Sequence, residues 1–430
     1  MTPEPVASRM TPARWAMLLS LYVTQYLGIG FFLIALVAIL RQKGMPLENL
    51  GLIYLLGTLW VFKFLWAPLV DRFGLRRVGH YRGWLVAMQT GMVAVLLVLA
   101  GLDLDHQLPL ILALCFLYTF LSATQDIAVD GLAYSLLLPS ERGVGNGVQS
   151  AGGLLGSVIG GGAILMAYPS VGWRGCMILL ALLTGVTLAQ VLLFREPGRL
   201  GPVSDIRLHA ARCWTFWRGQ RRLRWLLMLL VYPLGISLGY ALMTPILVDA
   251  GWGIDRIGFT LNVVGSLIGV LSSLAAGWLI RRVGRRPMLL GAALAQSVGL
   301  LALLPAALGQ TSPVLVTGAI VVFFAVYSPV TAIMATLMMD HASPRSPATD
   351  YTLQYSLYFA GGIVAAMVSA LLAGTFGYPA VVLLAAGTAG LALLLSLNFR
   401  LPQAAATVAT DEETDDETDL AAVPVAAGRG

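Results

Sequence analysis

Runs of about twenty apolar residues recur along almost the whole of this chain, and no other feature restricts its fold as much. A helix needs about 20 apolar residues to cross a hydrocarbon core about 30 Å thick. Twelve runs of that size can be read, at roughly 15–40, 49–70, 83–102, 109–138, 144–168, 173–194, 225–248, 256–280, 287–307, 313–339, 351–375 and 378–398. Apolar residues make up 58% of the chain and charged residues 11%, with a mean hydropathy of +0.82. Soluble domains carry about 25% charged residues, so the solvent for most of this surface is lipid. The reading is an all-α membrane protein of twelve transmembrane helices.

Arginine and lysine set the expected orientation, because they accumulate in cytoplasmic loops. With the N-terminus inside, 22 of the 27 fall in cytoplasmic segments. Four fall outside (Arg41, Lys43, Arg174 and Arg256), and Lys63 lies within a run. Both termini are therefore expected in the cytoplasm. The net charge of +6 does not indicate nucleic-acid binding, since the basic residues punctuate apolar runs rather than form one face. No short apolar segment with a small-residue cleavage site opens the chain, so no signal peptide is expected. Cys115, Cys176 and Cys213 are odd in number and far apart, which argues against disulfides and zinc.

The longest connection divides the chain into a first bundle (1–194), a basic linker (195–224), a second bundle (225–400) and an acidic tail (401–430). The linker is rich in arginine and aromatic residues, which suits the anionic inner leaflet surface or simply fixes topology. The tail carries seven acidic residues in Asp411–Asp419, a composition expected to be solvated and disordered.

The two bundles repeat one another. Ala67-Pro68-Leu69-Val70-Asp71-Arg72-Phe73-Gly74, followed by Arg76 and Arg77, matches Gly277-Trp278-Leu279-Ile280-Arg281-Arg282-Val283-Gly284, followed by Arg285 and Arg286. Gly44-Met45-Pro46 through Gly51 matches Gly251-Trp252-Gly253 through Gly258 at nearly the same offset. Duplicated halves with a site between them near the midplane are a transporter architecture. The stretch after the second run resembles the signature of the major facilitator superfamily. That resemblance implies a cytoplasmic gate latch at Asp71, Arg72, Arg76 and Arg77, with Arg281 standing where the second copy would have its aspartate. Loop charge that only fixes topology is the alternative for these residues.

Ionisable groups within spanning helices cost roughly 2.5–3.5 kcal/mol each on insertion scales, so they mark function by default. Lys63 lies in Trp60-Val61-Phe62-Lys63-Phe64-Leu65-Trp66, and Gln125, Asp126 and Asp130 lie in the fourth run. The i, i+4 spacing puts Asp126 and Asp130 on one helix face. A Lys63–Asp126/Asp130 cluster follows, in which two carboxylates share one ammonium and one of them is free to carry a proton. A structural ion pair between the second and fourth helices is the other reading. Asp340 stands where the repeat offset carries Asp130, and is a gate candidate. Gln25, Tyr26, Tyr232, Tyr240, Tyr355 and Tyr358 are cavity candidates, because tyrosine combines flat apolar area with one hydroxyl. Tyr22 and Tyr351 read equally well as members of an interfacial aromatic belt. Gly152, Gly156 and Gly160 form small-xxx-small steps for close helix packing.

No nucleotide-binding loop, zincin motif or hydrolase elbow occurs. An enzyme is not indicated, no cofactor or metal is expected, and the driving force falls to gradients, with protons the default. Val61–Leu85 and Ser122–Gln149 resemble the branch of the superfamily that contains AmpG-like muropeptide permeases and siderophore permeases of the rhizobactin and pyochelin type. The Gly79-His80-Tyr81-Arg82 run, and Asp130-Gly131-Leu132-Ala133 with Arg142-Gly143 and Gly145-Asn146-Gly147, look closer to the siderophore group. The resemblance implies proton-driven uptake of an iron–siderophore complex across a bacterial inner membrane, by a monomer surrounded by lipid. Muropeptide uptake and export of a small molecule or drug are the alternatives, and a non-transporting receptor would leave the duplication unexplained.

Overall fold

The computed structural model of the protein describes residues 10–45, 51–74, 79–197, 216–217, 220–310, 312–399 and 401. The gate candidates Arg76 and Arg77, Cys213, most of the linker and the acidic tail lie outside the described residues. Among the described residues every regular element is helical, and nine helices are long and apolar enough to cross a membrane.

These are α1 (Pro12–Gln42), α3 (His80–Ala100), α4 (Leu108–Leu136), a 52-residue helix from Arg142 to Leu193, α7 (Arg222–Asp249), α8 (Arg256–Val283), α9 (Arg285–Ala307), α10 (Pro313–His341) and a 51-residue helix from Pro347 to Leu397. At 1.5 Å per residue a straight helix of that last length would run about 75 Å, more than twice the hydrocarbon thickness. Neither long helix is continuous. Gly172 (φ +65°) breaks the first into α5 (142–171) and α6 (173–193), and Gly377 (φ +79°) breaks the second into α11 (347–376) and α12 (378–397). Positive φ is open to glycine at little cost. The first break is a hairpin, since the Cys176 thiol donates to the Ile164 carbonyl at 3.6 Å.

The second apolar run, α2 (51–72), is a chain of short pieces. A 3-10 stretch (Gly51–Gly57) leads into Thr58–Phe62, a 3-10 turn (Lys63–Leu65) and Ala67–Arg72. Pro68 has no N–H for the carbonyl four residues earlier, and its ring crowds the preceding turn. The chain loses regular helix at Trp66, whose indole is tied to Thr124 of α4 at 3.0 Å. The proline break thus sets Lys63 in a tight turn facing α4.

The duplication reappears in the backbone. Positive-φ glycines pair as Gly44 with Gly251, Gly79 with Gly284 and Gly172 with Gly377. The signature alignment had equated Gly284 with Gly74. By backbone the equivalent is Gly79, and Gly74 instead lies against His80, where an added Cβ would meet Nδ1 at 2.2 Å.

Helix α5 presents glycine in two directions. Gly152, Gly156 and Gly160 press on α1, and a Cβ at Gly160 would lie 1.9 Å from the Leu27 carbonyl oxygen. Nearer its start, Gly147 faces α8, where a Cβ would lie 2.7 Å from the Ser273 oxygen. One helix therefore locks the first half internally and also forms the seam with the second half.

Candidate functional site

Lys63 is fully buried, and its ammonium is ion-paired to Asp126 of α4. Two aromatic faces complete its surroundings, with Trp60 centred 5.0 Å away and Tyr355 of α11 4.8 Å away. A desolvated cation over an aromatic ring gains roughly 2 kcal/mol. Lys63 belongs to the first half of the chain and Tyr355 to the second, so this charge sits on the seam.

Asp130 lies one turn along α4 and forms no ion pair among the described residues. Its Oδ1 accepts from the Tyr22 hydroxyl at 3.2 Å and from the Gln149 amide at 2.9 Å. Its buried Oδ2 has no hydrogen-bond partner among the described residues. The Gln149 carbonyl oxygen in turn accepts from the Tyr351 hydroxyl of α11 at 2.8 Å. The predicted cluster therefore assembles in a divided form, with Lys63 on Asp126 and a neutral relay from Asp130 through Gln149 to α11. Tyr22 and Tyr351, read from sequence as equally suited to an interfacial belt, are 1% exposed and serve this interior network. Gln125 faces elsewhere, donating to the Leu21 carbonyl and accepting from Gln89, and so binds α1, α3 and α4 together.

Two further carboxylates hold the arginine-rich end of the seam closed. Asp71, at the end of α2, accepts from the Thr349 N–H and hydroxyl, both at 2.7 Å, and from the Ala348 N–H at 3.4 Å. Those amides open α11, whose N-terminus carries unsatisfied donors and partial positive charge. The Tyr81 hydroxyl supports the same carboxylate at 2.7 Å. Asp340, near the end of α10, accepts from Arg142 of α5 at 3.1 Å and from Arg285 of α9 at 2.5 Å. Arg285 also donates to the Pro139 carbonyl, and the Tyr134 hydroxyl donates to the Ala342 carbonyl at 3.2 Å. The contacts of Asp71, Arg142, Arg285 and Tyr134 across this end each join the two halves. Arg72, read with Asp71 as part of the latch, lies over the Phe73 ring at 5.9 Å.

Away from that sealed end the seam is lined by aromatic groups with idle polar atoms. Tyr26 packs on Trp60 at 4.9 Å, and the buried Trp60 indole N–H has no acceptor among the described residues. The same holds for both polar atoms of the Gln25 amide and for the Tyr358 hydroxyl, which have no hydrogen-bond partner among the described residues. Tyr240 is 53% exposed against Phe323 and Tyr327. Tyr232 is different: it is buried between α7 and α9 with its hydroxyl on the Leu289 carbonyl, a packing position.

Arg142, Gln149 and Trp60 were not singled out from sequence. Arg142, Asn146 and Gln149 recur at i, i+4 and i+7 along an otherwise glycine-rich and apolar helix, a polar stripe that would have marked them.

A helical membrane bundle with buried charge on a seam closed at one end defines a secondary transporter. The chain belongs to the Major Facilitator Superfamily, whose family model matches residues 18–366. Among curated proteins it is 31% identical over 274 residues to the anhydromuropeptide permease of Escherichia coli K12, covering 63% of this chain and 56% of the permease. The match therefore spans little more than half of that relative's length. Among solved structures it is similar to the human organic anion transporter MFSD10 (TM-score 0.72, 17% identity, covering 90% of this chain and 100% of that one). It is also similar to the Escherichia coli transporter FucP in an outward conformation (TM-score 0.68, 13% identity, 90% and 98%). At these identities the structural likeness speaks for the fold.

Proposed function

We propose that this protein imports a muropeptide-class sugar–peptide across a bacterial inner membrane, driven by protons. The observation that carries the coupling is the buried Lys63–Asp126 pair beside Asp130, a second buried carboxylate that forms no ion pair among the described residues. An uncompensated buried charge is expensive, and a proton on either carboxylate removes the excess. Protonation of Asp126 frees the Lys63 ammonium, which lies under Tyr355, so proton entry is felt by both halves at once.

The relative at 31% identity favours a sugar–peptide over the iron–siderophore complex that the sequence runs suggested. The aromatic character of the seam supports the same choice: Tyr26 and Tyr355, both partly exposed, offer flat faces for the apolar side of a sugar ring.

In this reading the chain crosses the membrane twelve times. Each long broken helix counts as two crossings, and α2 as one. Residues 1–194 and 225–400 form the two six-helix halves, 195–224 the linker and 401–430 the tail. Both ends are cytoplasmic, from the distribution of arginine and lysine. The seal at Asp71 and Asp340 is then the cytoplasmic gate, and the described state is outward-facing.

The test is accumulation of labelled anhydromuropeptide, with a panel of ferric siderophores in parallel, in cells lacking endogenous permeases for both. Accumulation of the muropeptide that a protonophore abolishes is the expected result. Accumulation of a ferric siderophore and not of the muropeptide would restore the siderophore reading.

A further inference from the structure

A cavity lies outside the seam at the arginine-rich end, between α7, α9 and α12. It has a volume of about 650 Å³. We propose that it is a binding site for an anionic glycerophospholipid, with the headgroup phosphate held by Arg224 and Arg286.

Charge is the first argument. Arg224 opens the α7 side of the cavity and Arg286 the α9 side, and among the described residues no carboxylate lines it. Other arginines at this end are engaged. Arg142 and Arg285 hold Asp340, Arg82 donates to the carbonyls of Val191 and Leu192, and Arg282 lies over Trp278. Arg286 uses one N–H on the Leu397 carbonyl at 3.2 Å, which aims its guanidinium at the cavity wall formed by α12 and leaves further donors. A guanidinium presents five donors in a planar fork that matches phosphate oxygens.

Depth is the second argument, and it separates a lipid from a free anion. Leu227 lies one turn beyond Arg224 along α7, and Leu394 lies one turn before Leu397 along α12, each about 5 Å deeper into the bundle's apolar zone. Both line the cavity, and both are exposed, at 44% and 61%. Phosphate at the level of the arginines with acyl chain on the leucines below reproduces the order of a phospholipid. A free phosphate would leave the leucine wall unused. Basic pockets between helix ends on the arginine-rich side are the expected place for such headgroups.

The experiment is native mass spectrometry of the full chain in detergent, titrated separately with phosphatidylglycerol, phosphatidylcholine and inorganic phosphate. Phosphatidylglycerol is expected to bind at least tenfold tighter than phosphatidylcholine. That preference is expected to vanish in Arg224→Gln/Arg286→Gln and to survive in Arg281→Gln/Arg282→Gln, which removes equal charge at the same end. Arg224→Gln alone leaves the Arg286–Leu397 contact intact and should still weaken phosphatidylglycerol binding several-fold, so the proposal stays testable if the double variant misfolds. Unchanged phosphatidylglycerol binding in these variants, or equal binding of phosphatidylcholine, would overturn it. Saturation by inorganic phosphate that excludes phosphatidylglycerol would make it a free-anion site and overturn the lipid assignment.

Discussion

Replacing Asp126 by Asn isolates what the buried pair does. The Lys63 ammonium then loses its one carboxylate contact in a fully buried position. Removing one partner of a buried ion pair typically destabilises by about 3–5 kcal/mol. Trp60 and Tyr355 remain over the ammonium, each worth roughly 2 kcal/mol when desolvated, so the low end of that range, about 3 kcal/mol, is expected. The double variant Lys63→Met/Asp126→Leu leaves neither member of the pair unpartnered, and apolar replacement of a buried pair is often neutral. It should regain most of the stability lost by the single variant. Transport should not return, because the ion pair that carries proton entry to Tyr355 is gone. The assay is a pair of measurements on each purified variant: the unfolding midpoint in mixed micelles, and gradient-driven uptake in proteoliposomes. Recovery of both stability and accumulation in the double variant would refute the reasoning and leave the pair as a strut between α2 and α4.

Other consequences follow from individual contacts. Asp71→Asn keeps the shape but removes the charge at the α11 N-terminus, a loss of about 1–2 kcal/mol. A thiol placed at Ser150, on the seam beside Thr331, should then be alkylated several-fold faster from the arginine-rich side, and an unchanged rate would count against the latch. Arg142→Ala should act in the same direction in the same labelling assay, since it strips Asp340 of its contact with the first half. Gly160→Val forces a side chain against the Leu27 carbonyl and should cost at least about 2 kcal/mol by overpacking, read as a lowered unfolding midpoint. In the exposed loop between α3 and α4, the hydrogen bond to Asp103 raises the His106 imidazole above its ordinary range. That contact is fully present below the ordinary histidine value and is lost as pH rises through the raised one. An NMR titration should show the raised midpoint, and Asp103→Asn should return it toward normal.

The architecture was legible because lipid leaves few choices. Twenty-residue apolar runs are strong local signals, and the structure is helical throughout its described regular elements, in keeping with the family match. Lys63, Asp126 and Asp130 were legible for a related reason: a charge in an apolar run has no inexpensive explanation. How they divide was not. Both carboxylates share a face of α4, and their spacing alone does not say that Lys63 meets Asp126. The polar relay through Gln149 and Tyr351 joins α5 to α11, about 200 residues apart in sequence, and helix periodicity carries no information on such pairings. Tyr232 and Tyr240 show the same limit, since identical residues on one helix end up in packing and in the open seam.

The central claim is that import of a sugar–peptide carries protons through Asp126 and Asp130. Its most direct test is the external pH of proteoliposomes when anhydromuropeptide is added without an imposed gradient. Substrate-dependent alkalinisation outside the vesicles, absent in Asp126→Asn/Asp130→Asn, is the predicted result. Labelled substrate entering with no pH change, or the same pH change in the double variant, would contradict the account.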